Sequence, residues 1–181
     1  LREDRSRLIR LAHGTEACPG VLDALVGAAE ETTSGLRPLR SFNLRIPVLA
    51  SNDARSKTLF DNAYGTGQSC WTTILDLIDP RGVGAPVAGM NVVVIGYGDV
   101  GRGCSRFGAA LGARVTVVEL DPVRALQASM DGFAVASLEE AAASAGMLIS
   151  ATGERSTIPL SALEAAPGGA IVTVAGGVDG E

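Results

Sequence analysis

Lysine and histidine are nearly absent from this chain: among 15 basic side chains Lys57 is the single lysine, and His13 is the single histidine. The other basic residues are dispersed arginines, set against 20 acidic side chains and a formal net charge of −5. Such a chain carries no electrostatic footprint for a phosphate backbone or an anionic lipid surface, so neither nucleic acid nor a membrane is expected as a partner. A small anionic ligand remains compatible with it. Cysteine is scarce too. Cys18, Cys70 and Cys104 are odd in number, widely spaced and without a CxxC partner, which argues against a disulfide framework and against a zinc site; no metal is expected. No apolar run approaches the roughly 18 residues that span a bilayer, and no basic-then-apolar leader opens the sequence, so a cytoplasmic location is expected.

What the chain does have is apolar mass. Its 181 residues are 46% hydrophobic, which excludes wholesale disorder. At about 100–200 residues per domain, the length allows one domain and a fragment of another. Leu1 stands where a methionine would, and the last residues follow an apolar run directly, so both ends read as cut. The expected division is a substrate-binding part and hinge over residues 1–66, then a nucleotide-binding domain, incomplete at its end, over 67–181.

From Val87 onward, short β-branched runs alternate with longer helical ones, the pattern of βαβ units around a parallel sheet. Asn91 to Ile95, Arg114 to Glu119, Gly146 to Ala151 and Ala170 to Ala175 read as buried strands, with Phe133 to Val135 a weaker one. Val100 to Leu111, Val123 to Met130 and Leu138 to Ala145 read as helices, with Asp99, Asp121 and Ser137 as N-caps. Before Pro86, the pattern predicts a helix from Pro19 to about Glu30, a polar EETTSG turn, and a strand at Ile46 to Ala50. It also predicts helices at Ala54 to Asp61 and Gln68 to Leu77 separated by an NAYGTG break. The fold class is α/β: a Rossmann-type doubly wound parallel sheet, preceded by part of a second α/β substrate-binding domain.

The first buried strand runs into Gly96-Tyr97-Gly98-Asp99-Val100-Gly101, a GxGxxG that opens a helix, and the next strand ends at the acid Glu119. Each position has a physical use. Gly96 permits the tight turn, Gly98 lets backbone approach a pyrophosphate, and Gly101 lets helix and strand pack closely. The helix N-terminus offers N–H groups and positive dipole to phosphate. Glu119 accepts ribose hydroxyls and repels a 2′-phosphate, so the expected cofactor is NAD, with the nearby Arg124 as the one feature pointing the other way.

Asp53, Lys57 and Asp61 lie at i, i+4 and i+8, which on an α-helix places an ammonium between two carboxylates. That spacing is compatible with a solvated ion-paired face, worth about 0.3–0.5 kcal/mol per pair, and with a lysine held to polarise a substrate hydroxyl. Glu30 and Glu31 are equally open between a surface turn and a cleft.

The stretches EETTSG (Glu30 to Gly35), NDARSKTLFDNAYGTGQS (Asn52 to Ser69), VVIGYGDVGRGCS (Val93 to Ser105), VVELDPVRALQASMDG (Val117 to Gly132) and SATG (Ser150 to Gly153) resemble the adenosylhomocysteinase (S-adenosyl-L-homocysteine hydrolase) family. The resemblance runs through almost the whole chain. It implies a homo-oligomeric enzyme with tightly held NAD, which oxidises the ribose 3′-hydroxyl of an adenine nucleoside so that the 4′ hydrogen is acidified, the 5′ thiol leaves and water adds. By motif position it implies Lys57 at the 3′-hydroxyl, Asp61 and Glu31 on the ribose hydroxyls, and Asp4 as the 4′ base. Thr32, Thr33, Ser34 and Asn62 fall on the cofactor, as do Gly96, Gly98, Asp99, Val100, Gly101, Glu119 and Arg124, with Thr152 and Gly153 near its adenosine half. The chain also departs from the family. Val174-Ala175-Gly176-Gly177 replaces an Asn-x-Gly-His run, and Arg5, Ser6 and Arg7 replace a glycine-rich acidic turn. These departures keep two alternatives in play beside S-adenosylhomocysteine hydrolysis: a paralogue using the same chemistry on another nucleoside in natural-product tailoring, and a non-catalytic NAD-binding regulator. A plain dehydrogenase of small alcohols has no use for the SKTLFDN helix.

Overall fold

A computed structural model describes residues 26–41, 44, 46–84 and 86–176. The chain divides into two compact units, Leu1–Thr58 and Leu59–Glu181. Asp4, Arg5, Ser6, Arg7, His13, Cys18 and Gly177, all singled out above, lie outside the described residues.

In the first unit, β1 (Ala28–Glu30) pairs in parallel with β2 (Val48–Ala50), Ala28 opposite Val48 and Glu30 opposite Ala50. The expected helix reaching Glu30 is therefore wrong at its end, where the chain is extended. The EETTSG turn is wrong as well, because it opens helix α1 (Thr33–Ser41). Its start is local: Thr32 Oγ1 accepts the Gly35 N–H at 3.0 Å. A threonine hydroxyl satisfying an orphan first-turn N–H is what an N-cap does. β2 runs into a 3₁₀ turn at Ser51–Asp53 and a single helical turn at Arg55–Lys57.

In the second unit the NAYGTG break does not occur. A π-helical segment, Thr58–Gly65, joins that turn to α2 (Thr66–Ile78) without interruption. The glycines there serve packing between helices. A Cβ on Gly103 would overlap the Ala63 carbonyl oxygen and sit 3.2 Å from Gly67 Cα, so α2 lies unusually close to α3 (Asp99–Ala110). Trp71 closes the same contact, with Nε1 donating to the Cys104 carbonyl at 2.7 Å and the ring lying over Gly108.

The remaining elements are β3 (Asn91–Ile95), β4 (Arg114–Val118), α4 (Pro122–Met130), β5 (Ala134–Val135), α5 (Leu138–Ala142), β6 (Met147–Ser150), α6 (Leu160–Ala165) and β7 (Ile171–Val174). All five strands from β3 to β7 pair in parallel in the order β5-β4-β3-β6-β7, with Ile95 opposite both Val118 and Ser150. This is the Rossmann order, and its reversal point lies between β3 and β6. Both faces of β3 are covered, as its unbroken NVVVI run requires. Val92 and Val94 pack with Trp71, Ile74, Val117, Met147 and Ile149, while Val93 and Ile95 pack with Leu148, Ala141, Ala142 and Ala162. Asp121 caps α4 by accepting the Val123 and Arg124 N–H groups, and Ser137 forms a capping box with Glu140 on α5. Asp99 does not cap α3; it is the helix's first residue, and Gly98 occupies the cap position without a side chain to satisfy the turn.

Cys70 and Cys104 face each other across the α2–α3 contact, Cys104 fully buried. Their mutual hydrogen bond, and then burial, push the Cys104 thiol well above the ordinary thiol range, while the same hydrogen bond pulls Cys70 down. Thiolate chemistry therefore falls to Cys70. Iodoacetamide at neutral pH is expected to label Cys70 in the native protein and Cys104 only after unfolding, read by peptide mass spectrometry. Equal native labelling of both would contradict this packing.

Candidate functional site

The glycine loop is built where strand order reverses. Gly96 holds φ +94°, which a residue with a Cβ rarely adopts, and a Cβ there would also come within 2.9 Å of Thr152 Cγ2. Thr152, two residues past β6, is thus brought against the loop. A Cβ on Gly101 would overlap the Gly96 carbonyl oxygen, so the third glycine is what allows α3 to rise directly off the turn. Gly98 differs from both. The nearest heavy atom to a Cβ added there is Arg124 Nη1, 3.9 Å away, so this face of the loop is open to an approaching group. No side chain caps α3, so the N–H groups of its first turn, over Asp99, Val100 and Gly101, have no capping acceptor.

Glu119 ends β4 beside the loop. Its Oε2 accepts the Tyr97 N–H at 2.6 Å, and its Oε1 accepts the Leu120 and Asp121 N–H groups at 2.7 and 2.9 Å. Three backbone donors occupy three of the roughly four acceptor positions of a carboxylate. One position on Oε2 is left to accept a hydroxyl, on a carboxylate that cannot turn away. Arg124 reaches across from α4, its Nε 3.9 Å from Asp121 Oδ2, with both side chains about half exposed. The donor set therefore fits a dinucleotide: an open glycine face, uncapped helix N–H groups for phosphate and a fixed acid for a ribose hydroxyl.

In the first unit the structure joins residues that the sequence left apart. Asn52, buried, donates from Nδ2 to Thr33 Oγ1 at 3.3 Å and accepts Lys57 Nζ on Oδ1 at 3.5 Å, while its backbone carbonyl accepts the Thr58 hydroxyl. Thr33 and Lys57, 24 positions apart, are thereby tied through one amide. Asn52 is the residue that sequence reading missed; an SND turn after a strand reads as a cap, and nothing in its spacing announces a link to α1. The expected single face of Asp53, Lys57 and Asp61 is not formed. Asp53 sits in the 3₁₀ turn and pairs with Arg40 at 2.6 Å, while Asp61 lies in the π-helical segment, where the α-helical period does not hold. Asp61 Oδ1 instead lies 2.9 Å from where a Cβ on Gly65 would stand.

Glu30 is engaged locally: Oε1 accepts both the backbone N–H and the hydroxyl of Thr32, at 2.7 and 2.5 Å. Glu31 is exposed, Ser34 and Asn62 are partly buried, and Gly153 holds φ +66° in the turn after β6. Among the described residues there is no cluster of three or more histidine, cysteine or acidic residues that can hold a metal, and no helix long and apolar enough to cross a membrane.

A family model described as "S-adenosyl-L-homocysteine hydrolase, NAD binding domain" matches residues 62–181. An adenosylhomocysteinase of Pyrococcus abyssi is 45% identical over 99% of this chain and 42% of its own length. An S-inosyl-L-homocysteine hydrolase of Methanothermobacter thermautotrophicus is 44% identical over 87% of this chain and 37% of its own length. The chain thus spans about two fifths of the curated relatives it matches. Among solved structures, the A chain of dipicolinate synthase from Bacillus subtilis superposes with a TM-score of 0.62 at 16% identity, covering 85% of this chain and 50% of that one, a likeness of fold alone.

Proposed function

The chain belongs to the S-adenosyl-L-homocysteine hydrolase family, and from that premise we propose that it forms the NAD-binding part of an enzyme acting on the ribose of a nucleoside thioether. In this reading residues 1–66 belong to the substrate-binding part and hinge, and 67–181 to the NAD-binding domain. The observation that carries it is Glu119, locked by three backbone N–H groups at the edge of an open glycine loop. Gly96, Gly98, Asp99, Val100 and Gly101 hold the pyrophosphate, Glu119 takes a hydroxyl of the adenosine ribose, and Arg124, Thr152 and Gly153 border that half. Thr32, Thr33, Ser34 and Asn62 take the nicotinamide half, as the family's motif implies. When bound, NAD supplies a reversible hydride acceptor.

The remaining chemistry is assigned to this chain's own side chains. Lys57 holds the substrate's 3′-hydroxyl and, as the neutral amine, accepts the hydroxyl proton to become the ammonium as the carbon is oxidised; a compact group that can titrate suits the task, and the Asn52 amide that faces Nζ, itself anchored on Thr33, limits where it points. Asp61 and Glu31 accept the ribose hydroxyls, and Asp4 serves as base at the 4′ carbon. A cytoplasmic homo-oligomer completes the reading and rests on family membership.

S-Adenosylhomocysteine is the first substrate to test. The near-equal identity to an S-inosyl-L-homocysteine hydrolase, together with the Val174-Ala175-Gly176 replacement at the end of β7, favours testing the inosine thioether beside it. Denaturing the purified protein is expected to release NAD, identified by mass spectrometry. Either thioether, incubated with the native protein and a thiol reagent, is then expected to yield homocysteine, and the faster of the two identifies the base. NAD present but no NADH formed with any nucleoside would leave the regulator reading standing; no NAD in the protein and none bound on addition would sink both.

A further inference from the structure

Tyr97 occupies the first variable position of the glycine loop, where the motif makes no demand on residue type, yet its side chain has no solvent exposure. The ring turns away from the open glycine face and into the core, its edge against Phe133 with centroids 6.0 Å apart. The guanidinium carbon of Arg102 stands 5.9 Å from the ring centroid. The hydroxyl donates to Asp131 Oδ2 at 2.8 Å, at the C-terminal cap of α4, and the same carboxylate oxygen faces Arg106 at 3.6 Å. Meanwhile the Tyr97 N–H is the donor that holds Glu119 Oε2.

One residue therefore joins the glycine turn, the acid at the end of β4 and the far end of α4. A phenylalanine would fill nearly the same volume, so the hydroxyl serves the Asp131 contact and not the packing. Burial pushes the phenol's ionisation far above the usual tyrosine range, and the hydrogen bond to Asp131 adds to it, so the phenol stays a donor at any working pH. If the ring shifts, the Tyr97 amide shifts with it, and the fourth acceptor position of Glu119 changes direction.

We propose that Tyr97, braced through its hydroxyl on Asp131, is a positioning residue for the adenosine half of the dinucleotide, setting the angle at which Glu119 meets the ribose and rejects a 2′-phosphate. This rests on the reading of the loop as an NAD site. The test is calorimetric titration of the cofactor-stripped full chain with NAD and with NADP, for wild type, Tyr97→Phe, Asp131→Leu and Asp131→Asn. Tyr97→Phe and Asp131→Leu are each expected to weaken NAD by about tenfold, the affinity equivalent of one charge-assisted hydrogen bond. Each should also narrow the preference for NAD over NADP. Asp131→Asn keeps an oxygen for the phenol but makes that hydrogen bond neutral and loses the charge facing Arg106, so it is expected to fall between wild type and Asp131→Leu, about threefold weaker than wild type.

NAD affinity unchanged in Tyr97→Phe overturns the brace, as does a loss shared equally by NAD and NADP, which marks general loosening. Should Tyr97→Phe fail to fold, the Asp131 pair carries the same comparison from the partly exposed end of the contact. A wild-type chain that binds neither dinucleotide refutes the NAD reading itself, and the brace with it.

Discussion

Lys57→Arg is expected to slow the reduction of bound NAD by an added nucleoside thioether by about 10²–10⁴-fold, the usual contribution of a positioned proton-transfer group. The readout is the single-turnover rise of NADH absorbance, with NAD content measured in parallel. Positive charge is retained in this variant, so the loss isolates what a guanidinium lacks: it does not deprotonate in a protein, and its planar fork does not present a single compact donor to one hydroxyl. The Asn52 amide oxygen accepts the ammonium at 3.5 Å while its Nδ2 donates to Thr33, and a longer, branched guanidinium has to be accommodated beside that same amide. A rate within threefold of wild type at unchanged NAD content would remove Lys57 from the chemistry. Among 15 Lys and Arg side chains the one lysine stands in the motif where the proposed chemistry calls for a group that titrates.

Gly101→Ala is expected to be the most damaging single methyl in the second unit. Its Cβ would overlap the Gly96 carbonyl oxygen, a backbone atom held by the turn, so neither partner can yield as a flexible side chain would. A cost of about 3 kcal/mol, at the upper end for overpacking, corresponds to a fall in melting temperature of about 6–12 °C, and NAD binding is lost with the loop's shape. Gly98→Ala is the informative contrast. Its φ of −72° suits alanine and nothing lies closer than 3.9 Å, so its effect on melting is expected to stay within about 1 kcal/mol, the size of an N-cap exchange. The methyl would, however, stand on the face proposed to receive the phosphate, so NAD affinity is expected to fall while the fold persists. Thermal melts and NAD titrations on the two variants separate the packing glycine from the binding glycine. Equal melting temperatures would mean that the turn absorbs the clash.

Much of this was legible because the signals are short-ranged. The strands β3, β4 and β6 show as apolar runs because each is covered on both faces, whereas β7, read from the sequence as buried, is an edge strand that leaves Val172 and Val174 exposed; Asp121 and Ser137 show as caps because a cap bonds within three residues. The GxGxxG loop shows for the same reason: its glycines answer to atoms of the same turn and the neighbouring strand end. In one place where local signals misled, a partner outside the window had intervened. NAYGTG has the composition of a break, yet Gly67 and Gly103 let two helices approach so closely that helical backbone continues through it in a wider π form. EETTSG has the composition of a turn, and its Thr32 does begin one, but as the cap of α1.

By itself, then, the sequence determined the α/β class, the order of strands in the second unit and the glycine loop, which rest on hydrogen bonds and burial patterns written within a few residues, and its motifs carried the resemblance that gave the family. The tertiary structure alone decided which side chains act together: Asn52 with Thr33 and Lys57, Glu119 with the Tyr97 amide 22 positions away, Tyr97 with Asp131 at 34, and Cys70 with Cys104. Such pairs leave no period in the chain, because closing a long loop sets no rule on the residues between its ends. Their geometry exists only once the helices and strands have packed.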